Sequence, residues 1–367
     1  MKHLTTPLAL GAAALLVVTL AGCGSADAGS AATVEPADDA LGSAEIAAQM
    51  DELYTQAQEA GETSVVVYGP GEQLYGSAYQ VFMARYPDIQ VTGEYIFGAE
   101  LSTRLDQEFS SGQHVGSIQT GGPAITDATN AAGRCEVSDP FAAADLDVPA
   151  ADDGTYRAVV GYPFGIAYNT DKISEKELPQ RFVDIVAPDF TGRFVLEDPT
   201  TTNGTTNSLA QMHAAGIIDD AWMQQLADGA PMIRGNGALS VQAVATGEAD
   251  FEPLAQYVMY KQSIDDGLPI GFFVPSEGSR IEYHYSCILA DAPNPKATEL
   301  LYNWLFTPEG QTALAESGVY GLRPGTPAPG DLPALEDISA DPIPSVPVPE
   351  SGPTTQKFIK VAEKFFQ

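Results

Sequence analysis

The sequence predicts an α/β protein of two lobes, on three observations. From Ser64 onward, short β-branched runs alternate with stretches of helical period; the alternation starts afresh mid-chain; and about 300 residues follow the N-terminal segment, enough for two cores. In the first unit, residues 65–68 form a strand, and Leu74, Ala78, Val81 and Phe82 then recur at helical spacing. PDIQVTGEYIF is a second strand, followed by the apolar stripe Leu101, Leu105 and Phe109, and HVGSIQTGG is a third, stopped at Gly121-Gly122. Strands joined through helices need crossovers, so each lobe is expected to hold a mainly parallel sheet covered on both faces. In the second unit, YRAVVGYPFGIAYNT holds one or two strands and RFVLEDPT another, while Leu239, Ala243 and Val244 lie on a helix after NGALS. YHYSCILA is again extended, and NPKATELLYNWLFTPEGQTALAESG is a pair of amphipathic helices broken at Pro308. Beyond Gly321 a proline-rich stretch precedes a last helix, TTQKFIKVAEKFF, so it reads as an ordered wrap.

The N-terminus reads as an export signal. Met1-Lys2-His3 precedes an apolar run from Leu8 to Leu20 that ends in LAGC, which resembles the lipobox of bacterial lipoproteins. The resemblance implies cleavage after residue 22, lipidation of Cys23 and a place on the outer face of the cytoplasmic membrane. The small, acidic segment after Cys23 reads as a flexible tether.

With 49 acidic against 17 basic residues, nucleic acid and anionic lipid are excluded as partners. An anionic small molecule is not, because local amides and one or two arginines override the global field at short range. With Cys23 reserved for lipid, Cys135 and Cys287 are either a disulfide or two buried thiols, and an exported protein admits both.

A search for catalytic patterns returns none. His114, His213 and His284 lack zinc-site spacing, no G-x-S-x-G elbow occurs, and GPGEQLYG spaces Gly69, Gly71 and Gly76 wrongly for a dinucleotide fingerprint or a P-loop. The reading is therefore a binding protein, without enzyme activity or cofactor. The loop YGPGE is one of five in which a polar or glycine-rich turn feeds a helix, with FGAEL, TGGPAIT, TTTNGTTNS and NGALS. Such turns present free amides at the positive end of a helix dipole. Each alone is an ordinary cap, but five at the carboxyl ends of strands in facing sheets would line a cleft for a small polar ligand.

The stretches SVVVYGPGEQLYGSAYQVFMARYPDIQVTGEY, GYPFGIAYNTDKI, SVQAVATGEADFEPLAQYVMY and APNPKATELLYNWLFTPEGQTALAESGVYGLRP resemble the extracellular solute-binding proteins of ABC importers, in the branch of ferric-ion, phosphonate and sugar-phosphate binders. The resemblance implies a type II-like two-lobed periplasmic-binding-protein fold with a two-strand hinge, acting as a monomer that delivers ligand to a membrane permease. Its pattern places residues 1–22 as signal, 23–61 as lipidated tether leading into a first helix, 62–122 with 284–323 as lobe I, 123–283 as lobe II and 324–367 as wrap and final helix. The crossings fall near Ser117 to Gly121 and Tyr283 to Leu289, so a Cys135–Cys287 disulfide would brace the hinge.

Ferric receptors of this branch hold iron with a histidine after the first strand, a carboxylate after the third and two adjacent tyrosines in lobe II. The matching positions here are Glu72, Gly121 and Tyr257-Val258, with Tyr260 one turn further on. A ferric set would therefore reduce to Glu72, Tyr257 and Tyr260, too few anionic oxygens for bare iron. Amides in place of a carboxylate favour an organic anion, phosphorylated or carboxylated. The expected ligand contacts are Tyr68, Gly69, Gly71, Glu72, Phe97, Gly98, Glu100, Thr120, Gly121, Gly122, Thr201, Asn203, Thr205, Asn236, Ser240 and Tyr257, with Arg234 as a bidentate partner.

Overall fold

A computed structural model describes residues 38–275, 278–338 and 343–366; the export signal, Cys23 and the tether up to residue 37 lie outside them. Helix α1 (Ala44–Ala60) is capped by the Ser43 side chain and closed by Gly61 in the left-handed region (φ 71°), and it buries Ala47, Met50, Leu53 and Ala57 along one stripe. There follow β1 (Ser64–Gly69), α2 (Gly76–Arg85), β2 (Gln90–Tyr95), α3 (Gly98–Ser111), β3 (Ile118–Gly121) and α4 (Pro123–Ala131), the alternation expected from the sequence. Strand β1 pairs in parallel with both β2 and β3.

The next strand, β4 (Arg157–Asn169), is 13 residues long and organises the molecule. After it come β5 (Val195–Glu197), α5 (Gly204–Ala214), α6 (Asp220–Asp228), β6 (Met232–Arg234), α7 (Gly237–Ala245), β7 (Phe251–Gln256), α8 (Tyr257–Asp265) and β8 (Ile270–Phe273). The chain closes with β9 (Ile281–Ile288), α9 (Pro295–Trp304), α10 (Pro308–Ala315), β10 (Tyr320–Gly321) and α11 (Val348–Ala362). The main path of the sheet runs β10-β4-β9-β3-β1-β2. Residues 157–163 of β4 pair with β9, whereas residues 164–169 pair with β7 and β8, all antiparallel. One strand thus serves two sub-sheets, each with its own core: Val67, Phe82, Leu301 and Trp304 in the first, Phe182, Phe194, Leu209 and Phe251 in the second.

Two expectations need correction. The sheet is mixed: the parallel ladders are β1–β2, β1–β3 and β5–β6, with an isolated parallel bridge between Phe194 and Phe251, and the remaining strand ladders among the described residues are antiparallel. The first change of lobe falls at Pro163–Phe164 inside β4, not at Ser117–Gly121, and the second precedes β9, not at Tyr283–Leu289. Strand β3 cannot cross, because Gly122 and Pro123 turn its end into α4. Strand β4 can, since 13 residues at about 3.3 Å each reach across both lobes.

Cys135 and Cys287 are disulfide-bonded, with Cα atoms 5.6 Å apart. Cys287 lies at the end of β9 that pairs with β3, and Cys135 bridges Leu289, so the bond ties the chain after α4 to β9 within the first lobe instead of bracing the hinge. In the C-terminal stretch the Tyr320 hydroxyl donates to the Pro333 carbonyl, and the Val346 amide to Gln211. Helix α11 packs against both α5 and α4 and buries Phe358 in the second core.

Candidate ligand-binding cleft

On the first lobe, β1 ends against β3 too closely for side chains: a Cβ on Gly69 would stand 2.1 Å from the Thr120 hydroxyl oxygen, and one on Gly71 2.6 Å from the Tyr162 hydroxyl. The glycines let a buried network close beneath the loop. Glu72, 3% exposed, accepts hydrogen bonds from the Tyr79 hydroxyl and, at 2.7 Å, from Thr120. Burial lifts its carboxyl to about 7, against the pull of those two bonds. The Tyr75 and Tyr162 hydroxyls meet at 2.5 Å alongside. Tyr68 points the other way, donating to Glu108 at 2.7 Å. Phe97, the exposed N-cap of α3, packs its ring at a tilt against Tyr95, with Gly98 and Glu100 exposed in the first turn after it. Gly121 and Gly122 lead into α4, whose N-terminus has no side-chain cap.

On the second lobe, Asn203 caps α5 by accepting from the Thr206 amide at 2.8 Å, and Asn236 caps α7 by accepting from the Leu239 amide at 3.1 Å. Between these two helix starts lies Glu197, from the end of β5. One carboxylate oxygen is 3.4 Å from the Thr205 amide of α5, and the other would be 3.0 Å from a Cβ on Gly237 of α7. Burial raises the Glu197 carboxyl, opposed by the amide bonds of Thr205 and Gly204. Behind it Glu252 is lifted to about 8 by burial and by the charge of Glu197, although the Tyr260 hydroxyl donates to it and Ser240 sits beside it. Leu254, buried with φ 56°, is strained inside β7 at the register shift against β4, and the Gln256 side-chain carboxamide at the end of that strand lies against Gly204 at the start of α5.

The floor is built from the polar face of β9 and the residue before it. Alternation places Arg280, Glu282 and His284 on one side of the extended chain. Arg280 pairs with Glu282 at 2.7 Å, donates to the Ser208 hydroxyl of α5 at 3.2 Å, and lies 4.8 Å over the Phe164 ring. Glu282 reaches within 3.7 Å of His284, which stacks on Tyr162, and would lie 3.4 Å from a Cβ on Gly122 at the start of α4. Burial works to raise the Glu282 carboxyl, but Arg280 and His284 outweigh it and hold it at about 2. These contacts link the starts of α4, α5 and α7 through Glu282, Arg280, Ser208 and Glu197.

Several sequence-derived contacts are placed elsewhere. Tyr68, Glu72 and Thr120 are engaged in the first lobe's interior. Arg234 forms a half-exposed ion pair with Glu248 at 2.7 Å, because β6 ends at the protein surface. Tyr257 packs on Phe272 and turns its hydroxyl toward Gly330, and Thr201 donates to the Asp198 carbonyl. The ferric set does not assemble: Glu72 is held by Tyr79 and Thr120, Tyr260 by Glu252, and Tyr257 faces the wrap. Among the described residues no three His, Cys, Asp or Glu side chains are grouped to hold a metal ion. Arg280, Glu282, His284, Glu197 and Glu252 were not singled out as site residues from sequence; the alternation in RIEYHYS was the signal available for the first three.

A model of the family described as bacterial extracellular solute-binding protein matches residues 77–343. The chain belongs to that family. This solute-binding protein has the two-lobed periplasmic-binding-protein fold and is the substrate-binding protein of an ABC importer, exported to work outside the cell's cytoplasm. It is similar to iron-bound HitA from Pseudomonas aeruginosa, at 18% identity over 83% of this chain and 100% of that one, with a TM-score of 0.69. It is also similar to the periplasmic binding protein AfuA from Actinobacillus pleuropneumoniae with fructose-6-phosphate bound, at 16% identity, 83% and 99% coverage and a TM-score of 0.64. A third similar structure is the ferric binding protein from Campylobacter jejuni, at 16% identity, 82% and 99% coverage and a TM-score of 0.64. No curated protein matches.

Proposed function

We propose that this solute-binding protein captures a small organic anion, phosphorylated or carboxylated, between its lobes and passes it unaltered to a membrane permease. The observation that carries this reading is Glu197: an oxygen acid of the protein itself sits between the starts of α5 and α7, so the amides there suit carboxylate or phosphate oxygens. Its raised pKa lets it hold a proton and share that junction with a ligand oxyanion. Capture is by hydrogen bonds and lobe closure, without turnover, in a monomer anchored through lipid on Cys23, which lies outside the described residues. Replacing Cys23 by serine should abolish labelling of the protein by palmitate.

The similar structures divide between iron and a sugar phosphate. The dispersed positions of Glu72, Tyr257 and Tyr260 favour the second kind of cargo. A thermal-shift screen with fructose 6-phosphate, 2-aminoethylphosphonate, citrate, ferric citrate and ferric chloride decides. A probe present at a hundred times its dissociation constant adds about 2.7 kcal/mol to the native state, a rise of several degrees. A rise with phosphorylated or carboxylated probes, recovered intact, supports the reading; a rise with ferric chloride alone overturns it.

A further inference from the structure

Arg280 is the most deeply buried cation among the ion pairs of the described residues, with its side chain 3% exposed against 28% for Arg234. Burying a guanidinium is costly unless its charge and donors are met: Nη2 forms an ion pair with Glu282 Oε2 at 2.7 Å, and Nη1 donates to the Ser208 hydroxyl. Its Nε has no hydrogen-bond partner among the described residues. Such a donor in a nine-tenths buried side chain calls for an acceptor that arrives from elsewhere.

The position of the group says what that acceptor is. Ser208 belongs to the first turns of α5 in the second lobe, and Glu282 abuts Gly122 at the start of α4 in the first. The guanidinium therefore lies where the two lobes meet, with the start of a helix on each side. We propose that Arg280 is the specificity-determining residue of the cleft, its Nε edge receiving an oxygen of the solute's phosphate or carboxylate while Glu282 holds the guanidinium in place. Selection for an oxyanion then resides on the chain entering β9, not in the loops of the lip. This inference rests on the reading of the cleft as an organic-anion site.

Calorimetric titration of the full protein with fructose 6-phosphate, citrate and inorganic phosphate tests it, on the wild type, Arg280→Lys, and the double variant Arg280→Gln with Glu282→Gln. Lysine keeps the charge but loses the planar donor edge, whereas the double variant removes the pair together and leaves no unpaired buried charge. For any oxyanion the wild type binds, Arg280→Lys should weaken binding about tenfold or more and the double variant on the order of a hundredfold. Ligand-free melting of Arg280→Lys should stay near that of the wild type, and Arg234→Gln should bind as the wild type does. If the wild type binds a probe and both Arg280 variants match it within about twofold, Arg280 is not the selector and the organic-anion reading survives. If the wild type binds none of the three, both the reading and the inference fail.

Discussion

Replacing Glu72 by glutamine fixes in place the neutral form that burial favours. A carboxyl whose pKa is raised on folding binds its proton more tightly in the native state, so it supports folding below its ordinary value of 4.5, and that support fades as pH climbs to about 7. The displacement from 4.5 to about 7 corresponds to about 3 kcal/mol. Glutamine keeps a carbonyl oxygen for Thr120 or Tyr79, and the other hydroxyl can rotate to accept from its amide. The variant should therefore lie within about 1 kcal/mol of the parent at pH 4 and gain about 3 kcal/mol relative to it by pH 8. Thermal melts across that range read the gain as roughly 4 to 5 °C. Glu252 and Glu282 titrate in both proteins and largely cancel in the comparison. Parallel pH profiles for variant and parent would refute the buried, proton-holding role, and a variant that loses stability at pH 8 would show that Glu72 works as a paired anion.

Replacing Cys135 and Cys287 by serine opens a cross-link spanning 152 residues and should cost about 2–4 kcal/mol in urea unfolding, with cleft affinity unchanged because both cysteines lie in the first lobe; an unaltered midpoint would count against this. Arg234→Ala should change stability by no more than about 1 kcal/mol, as for other half-exposed ion pairs, and leave fructose 6-phosphate titrations as they were; a loss of affinity would return Arg234 to the site. Phe358→Ala should destabilise the second lobe by about 3–5 kcal/mol, since the ring is 2% exposed in that core, and a loss below about 1 kcal/mol would show α11 to be loosely docked.

The elements legible in the sequence are those whose signals are local. The run from β1 to α4 follows from β-branched stretches alternating with helical stripes, and the break between α9 and α10 from Pro308 with Thr307 as its cap. Pairing is not local, which is why YRAVVGYPFGIAYNT, read as one or two strands, did not disclose a single strand shared by two sub-sheets. The crossing points between lobes depend on that same pairing. At the cleft, the glycine- and asparagine-rich turns marked where α4, α5 and α7 begin, because capping chemistry is written in adjacent residues. The acids and the arginine between those helices were not visible. Arg280, Glu282 and His284 alternate with apolar residues as on a strand with one wetted face, and the packing of α4 on β9, with Ser208 of α5 against Arg280, is what encloses them. Arg234 stands next to a turn, where a lone arginine usually makes a surface ion pair such as the one with Glu248.

Strand β4 runs unbroken from one lobe to the other, and the bend between lobes has to be taken up where Tyr162, Pro163 and Phe164 stand. Tyr162 carries His284, and Phe164 carries Arg280. The junction between the lobes and the proposed recognition surface are thus made of the same few residues. Any change of angle between the lobes alters the shape presented to the cargo, and any cargo that remodels the floor resets the angle. Affinity and closure should consequently respond to substitution at these positions as one quantity, leaving tighter capture and faster release hard to select separately.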